Sequence, residues 1–120
     1  MTPFGLRIRA LRDEKGVSQK EMAAALGVSA AYLSALEHGR RGVPSWPLIQ
    51  KIVGYFNIIW DEAEDLQRLA AASHPRVTVD TAGLSPAATL LANRLAGMIE
   101  KLSEADIAEL LQRLDGMERR

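Results

Sequence analysis

Cysteine is absent from the sequence, which excludes disulfide bonds, thiolate zinc sites and cysteine nucleophiles. Only two histidines occur, His38 and His74, and neither has a second ligand at a metal-binding spacing. Long hydrophobic runs are also absent. The stretch Ile52–Trp60 is interrupted by Gly54 and Asn57 and falls well short of the ~20 residues of a membrane span. We therefore expect no metal site and no contact with a membrane.

The residue sets that catalysis requires are equally lacking. There is no carboxylate pair, no nucleophile with a base and no phosphate-binding glycine loop, because Gly39 and Gly42 alone are too sparse. A chain of 120 residues is also too short for barrel or doubly wound folds. We expect no enzyme, no catalytic residue and no cofactor. The segment Met1–Phe4 does not begin a secretory signal, so the expected location is the cytoplasm.

The net charge is zero, but the charges are unevenly distributed along the chain. Residues 1–60 contain eight Lys/Arg and four Asp/Glu, whereas residues 61–120 contain seven Lys/Arg and eleven Asp/Glu. This asymmetry favours a first half that binds a polyanion and a second half with another task. A chance imbalance of four charges is common, so the charge pattern alone is weak evidence.

Helical periodicity dominates the sequence, which predicts an all-α fold. Ser18 and Glu21 have the spacing of a capping box, and Gly16 and Gly27 are typical helix stops. The first five expected helices cover residues 4–15, 19–26, 29–37, 45–56 and 61–73. Trp46 and Trp60 are expected in the core or in an interface.

A C-terminal extension follows a linker over residues 75–84. Ser85-Pro86 and Ser103 open two amphipathic helices, which we expect to form a hairpin. Their apolar stripe comprises Leu91, Leu95, Met98, Leu102, Ile107, Leu110 and Leu114. The two stripes either pack only against each other or mediate self-association. Because a two-helix hairpin has little core of its own, residues 85–120 are predicted as an oligomerisation segment.

The segment Ser18–Leu36 has the pattern of a helix, a tight turn and a second helix. Ala23 is small enough for the helices to cross closely, and Gly27 supplies the conformational freedom of the turn. The second helix is expected to bury Val28, Leu33 and Leu36 and to expose Ala30, Ala31, Ser34 and Ala35. A smooth protruding helix of this kind fits the major groove of DNA.

Residues 18–40 resemble the helix-turn-helix of the XRE class, the lambda-repressor-like and Cro-like regulators of bacteria and phages. Arg7–Arg12, Gly16–Gln19 and Pro44 fit the same pattern, so the resemblance covers residues 4–60. It implies a five-helix lambda-repressor-like DNA-binding domain, here assigned to residues 1–74. Residues 61–120 lie outside the resemblance and are similar only in plan to helical oligomerisation extensions of the family.

The resemblance also implies residue roles. Gln19 is expected to bind a phosphate and brace the recognition helix, Tyr32 and Arg40 to contact the DNA backbone, and Arg12 to pair with Glu37. The full set expected at DNA is Gln19, Lys20, Ser29, Ala30, Ala31, Tyr32, Ser34, Ala35, Arg40 and Arg41. Alanine can touch a thymine methyl but makes no bidentate hydrogen bond, so sequence specificity relies on serines, Gln19, water and DNA shape.

The favoured function is a transcriptional regulator, most plausibly a repressor, that binds double-stranded DNA as a dimer or higher oligomer. In an alternative hypothesis the protein also binds DNA but is an antitoxin or accessory factor, and its acidic C-terminal half binds a protein partner. A third hypothesis is a protein-interaction module that has lost DNA binding.

Overall fold

The computed structural model covers residues 1–120 and contains helices but no strand, which confirms the predicted all-α class. A single turn of 3₁₀-helix, Ile99–Lys101, lies between the last two α-helices. The seven α-helices are α1 Pro3–Lys15, α2 Gln19–Leu26, α3 Ala30–Glu37, α4 Trp46–Tyr55, α5 Trp60–Ala71, α6 Pro86–Met98 and α7 Glu104–Glu118. The chain forms two compact units, Met1–Val77 and Thr78–Arg120.

Local capping explains where the helices of the first unit begin and end. The Ser18 hydroxyl accepts from the Glu21 N–H at 3.0 Å, while the Glu21 carboxylate accepts from the Ser18 N–H, so the predicted capping box is present. Gly16 ends α1 and Gly27 ends α2, both with positive φ of 73° and 75° that favours glycine. Side-chain caps therefore satisfy backbone groups that the helix ends would leave without partners.

The core of the first unit draws on all five of its helices. Its largest fully buried apolar side chains are Phe4, Ile8, Met22, Leu33, Leu36, Ile52 and Leu66. The start of α1 is tied to the end of α5 because the Phe4 N–H donates to the Ser73 hydroxyl at 3.0 Å. Ser73 in turn donates to the Leu69 carbonyl, so the buried hydroxyl is satisfied on both sides.

A close backbone approach joins α1 to the end of α3. A Cβ added at Gly5 would lie only 2.0 Å from the Glu37 carbonyl oxygen, so no larger residue fits there without displacing backbone. The same carbonyl accepts from the Thr2 N–H at 3.1 Å. Gly5 thus fixes the separation between α1 and the C-terminal end of α3.

The second unit buries none of its residues. The predicted two-helix extension is present, but α6 and α7 contain no buried side chain, so the expected hairpin does not seal its apolar stripes. Five of the seven stripe residues instead line an open groove of about 680 Å³: Leu91, Leu95, Met98, Leu102 and Leu110. Ile107 is half-buried and Leu114 is 59% exposed, and neither lines this groove.

No helix of the chain has the length and apolar character needed to cross a membrane.

Candidate nucleic-acid interface

The helix-turn-helix geometry arises from α2, the turn at Gly27 and α3. Ala23 is only 2% exposed, and its small side chain allows α3 to approach α2 closely. Leu33 and Leu36 are buried, and Val28 packs against the core from the turn. The helical phase of α3 therefore agrees with the predicted inward set.

The opposite face of α3 is small and open at its N-terminal end. Ser29, Ala30 and Ala31 are exposed, whereas Ser34 and Ala35 are half-buried. The latter two were predicted to face outward and are only partly exposed, since they flank the buried side of a helix of only eight residues. The Ser29 hydroxyl caps the helix by accepting from the Tyr32 N–H at 3.0 Å, which leaves its own hydrogen free to donate.

A buried carboxylate fastens the end of α3 to both preceding helices. Glu37 accepts from Arg12 Nη2 at 2.9 Å and 3.2 Å through its two oxygens, so the predicted ion pair is present. Gln19 Nε2 donates to Glu37 Oε2 at 3.0 Å. The exposed fractions of the Arg12 and Glu37 side chains are 12% and 2%. Glu37 on α3 is therefore connected to α1 by the charged Arg12 and to α2 by the neutral Gln19.

Gln19 thus performs the bracing part of the role that the resemblance implied. Its amide is half-buried and gives one N–H to Glu37, leaving the second N–H free. The backbone N–H groups of Gln19 and Lys20, in the first turn of α2, have no partner within the helix. One end of α2 therefore presents several donors of the kind that bind phosphate.

Exposed basic side chains precede and follow α3 in the chain. Arg40 and Arg41 are exposed in the segment after α3, and Lys20 is exposed on α2. None of these three side chains forms a salt bridge. The Arg41 guanidinium lies 5.9 Å from the centre of the Tyr32 ring, which brings two of the predicted residues together.

The sequence interpretation missed a cleft beside α3, to which α4 contributes. This cleft of about 380 Å³ is lined by Val28, Ser29, Tyr32, Ser45, Pro47, Leu48 and Lys51. Lys51 is exposed, forms no salt bridge and lies in the same cleft as the Ser29 and Ser45 side chains. The available signal was the three-residue spacing of Ser45, Leu48 and Lys51, which places them on one face of a helix.

The sequence model of a family described as "Helix-turn-helix domain" matches residues 3–73, more than half of the chain. The chain belongs to the helix-turn-helix domain family. This membership confirms the predicted class of regulator and agrees with the expectation that the protein is not an enzyme.

Curated relatives of this helix-turn-helix protein come from Bacillus subtilis (strain 168). The HTH-type transcriptional repressor RghR is 39% identical over 61 residues, which are 51% of this chain and 45% of RghR. The uncharacterized HTH-type transcriptional regulator RghRB is 31% identical over 74 residues, covering 62% of this chain and 50% of the relative. A third, the uncharacterized HTH-type transcriptional regulator YazB, is 44% identical over 59 residues, which are 49% of this chain and 84% of YazB.

The match spans about half the length of the first two relatives. No solved structure matches the chain significantly. The comparisons therefore bear on the helix-turn-helix part, and α6 and α7 have to be interpreted from their own residues.

Proposed function

We propose that this protein is a DNA-binding transcriptional regulator that inserts α3 into the major groove. The observation that carries the proposal is the exposed, small-residue end of α3, at Ser29–Ala31, flanked by the unpaired cations Arg41 and Lys51. A protruding helix with cations beside it suits a groove bordered by two phosphate strands. The names of the relatives as transcriptional regulators support the same function.

Phosphate contacts supply most of the affinity in this proposal. Gln19, Lys20, Tyr32, Arg40 and Arg41 hold the backbone, and Lys51 and Ser45 extend the contact through the cleft beside α3. Ala30 and Ala31 offer methyl groups to thymine but no hydrogen bond to a base edge. Sequence preference therefore comes from Ser29, Ser34, bridging water and the shape of the DNA, with Ala35 at the margin of the contact.

Repression is the favoured outcome, by occupation of a promoter, because RghR is named a repressor. We expect such a protein to act in the cytoplasm, where bacterial DNA lies. Residues 1–74 would bind DNA and residues 85–120 would join two copies. Residues 75–84 would be the linker between these two segments. Two joined copies place two recognition helices one DNA turn apart, about 34 Å, and bind a palindromic site.

Self-association is proposed through α6 and α7. The unit formed by these helices buries no residue, and Leu91 and Leu114 are 69% and 59% exposed. Exposed apolar surface of this kind is typical of a protein interface, and in this proposal a second copy of the chain buries it. The groove edge also contains both charge signs, Arg94 and Arg113 against Asp106 and Glu109, so two copies related by a two-fold axis can pair opposite charges.

The DNA-binding proposal is tested by selecting duplexes from a random pool with the full-length protein and measuring affinity by gel shift. The double variant Arg41→Ala/Lys51→Ala should bind every duplex more weakly and reduce the salt slope by about two. Arg68→Ala is the matched control, because this base on α5 is already paired with Asp65 at 2.9 Å. Equal losses in both variants would contradict the assigned surface.

The oligomer proposal is tested by light scattering on the full chain and on a chain that ends at Ala82. We expect a dimer or higher oligomer for the full chain and a folded monomer for the shorter one, with much weaker binding to palindromic DNA. A monomeric full chain would contradict the proposal and favour the alternative in which α6 and α7 cover a protein partner, as an antitoxin or accessory factor does.

A further inference from the structure

A groove between α4 and α5 is not used by the proposed DNA interface. It has a volume of about 400 Å³ and is lined by Trp46, Ile49, Gln50, Val53, Ile58, Trp60, Ala63, Glu64 and Gln67. None of these residues belongs to the set assigned to DNA. The volume lies within the range of roughly 300–1,000 Å³ that is usual for small-molecule sites.

Both tryptophans of the chain line this groove. Trp46 is 54% exposed and Trp60 is 87% exposed, although tryptophan is a residue that proteins bury extensively. Ile49 and Val53 contribute apolar wall between the two helices. The groove therefore combines two exposed indole side chains with an apolar surface.

The one charged residue that lines the groove is acidic. Glu64 lines it, and no Lys or Arg does. The first two turns of α5 also contain Asp61, Glu62 and Asp65, all exposed. The one base of α5, Arg68, lies 3.6 Å from Glu64 and 2.9 Å from Asp65.

The Glu64 carboxylate remains available to a ligand. Its contact with Arg68 joins side chains that are 67% and 73% exposed, and surface pairs of this kind are weak. Arg68 has a second and shorter contact, with Asp65 at 2.9 Å, so it does not depend on Glu64 for a partner. The site thus offers an exposed carboxylate beside two exposed indole side chains.

We propose that this groove binds a lipophilic aromatic cation. Indole is the best of the protein side chains at attracting a cation to its ring face, and a carboxylate supplies the opposite charge. Neutral apolar ligands would gain no charge contact with Glu64, and anions, including nucleic-acid phosphates, would be repelled by the four acidic residues of α5. This ligand site is independent of DNA binding.

The test uses tetraphenylphosphonium as the probe and tetraphenylborate as its counterpart of similar size and opposite charge. Binding to the full-length protein is measured by calorimetry and by tryptophan fluorescence, which reports on this groove because no other tryptophan exists in the chain. We expect saturable binding of the cation, with one site per chain, and no binding of the anion.

Substitutions then test whether Glu64 and Trp60 contribute to binding of the cation. Glu64→Gln should weaken binding of the cation about fivefold, as expected for loss of a partly exposed charge contact worth about 1 kcal/mol. Trp60→Leu should weaken it by a similar factor. Glu62→Gln is the matched control, since it removes the same charge from the same helix outside the groove and should change affinity less than about twofold.

Three results would overturn the proposal. The first is equal binding of the cation and the anion, which indicates unspecific apolar contact. The second is an equal loss of affinity in the Glu64→Gln and Glu62→Gln variants. The third is tryptophan emission that moves to shorter wavelength as the protein concentration rises while the cation fails to bind, which indicates that a second copy covers the groove.

Discussion

Glu37→Gln is the substitution whose effect follows most directly from the structure. It removes the negative charge that lies 2.9 Å from Arg12 Nη2 while keeping a side chain of the same length. The Gln19 amide also loses a charged acceptor. Both losses occur where three helices meet, at a side chain that is 2% exposed.

The magnitude follows from the burial of the remaining cation. Removing one partner of a buried pair costs about 3–5 kcal/mol, because it leaves an uncompensated charge out of water. Arg12 keeps 12% exposure, and a glutamine oxygen still accepts one hydrogen bond, so the lower figure of about 3 kcal/mol applies. For a unit the size of Met1–Val77, this loss lowers the melting temperature by roughly 12–24 °C.

Urea and thermal unfolding, followed by circular dichroism, measure the effect. Asp65→Asn is the control, because Asp65 also lies 2.9 Å from an arginine but is 65% exposed, and it should cost less than about 1 kcal/mol. The double variant Arg12→Gln/Glu37→Gln should lose less than the sum of the single losses by about 1 kcal/mol or more. Equal shifts for Glu37→Gln and Asp65→Asn would refute the argument from burial.

Three further outcomes are expected. Arg41→Ala and Lys51→Ala should each lower DNA affinity on every sequence and make the salt slope shallower by about one, which gel shifts at several salt concentrations measure. Ala31→Glu should abolish DNA binding while circular dichroism remains unchanged, since this side chain is exposed; loss of fold instead would contradict the helical phase. Gly5→Ala should destabilise the protein by about 1–3 kcal/mol because its Cβ would meet a backbone oxygen at 2.0 Å, whereas Gly97→Ala, with open space in α6, should not.

The sequence predicted the first five helices to within about two residues of each boundary because their ends are set locally. Ser18 and Glu21 satisfy each other's backbone groups, and Gly16 and Gly27 adopt positive φ that other residues disfavour. The ion pair between Arg12 and Glu37 was also predicted, but only because the resemblance to a family supplied it. Charge alone at a separation of twenty-five residues would not have revealed that pair.

The structural features that the sequence did not predict depend on how the helices are placed relative to one another. The cleft that joins Ser29 to Lys51 is lined by residues of α4 and of the start of α3, and no local pattern specifies how these two helices are placed. Trp60 shows the same difficulty, since an aromatic residue at a helix start was expected in a core or an interface and lies 87% exposed beside a groove. In α6 and α7 the periodicity identified the apolar face, but no local pattern in the sequence specifies what packs against it.

Net charge is a poor guide to this molecule because its charges are segregated by helix. Within Met1–Val77, α5 contains four Asp/Glu and one Arg, whereas the remaining residues contain nine Lys/Arg and four Asp/Glu. Screening limits the reach of each charge to about 8–10 Å at physiological salt, so DNA placed at α3, as proposed, would respond to Arg41 and Lys51 rather than to the net charge of zero. In the proposed binding mode the acidic α5 would oppose contact of DNA with its own face. The same separation of charge leaves an anionic surface beside Trp60, where we propose the cation site.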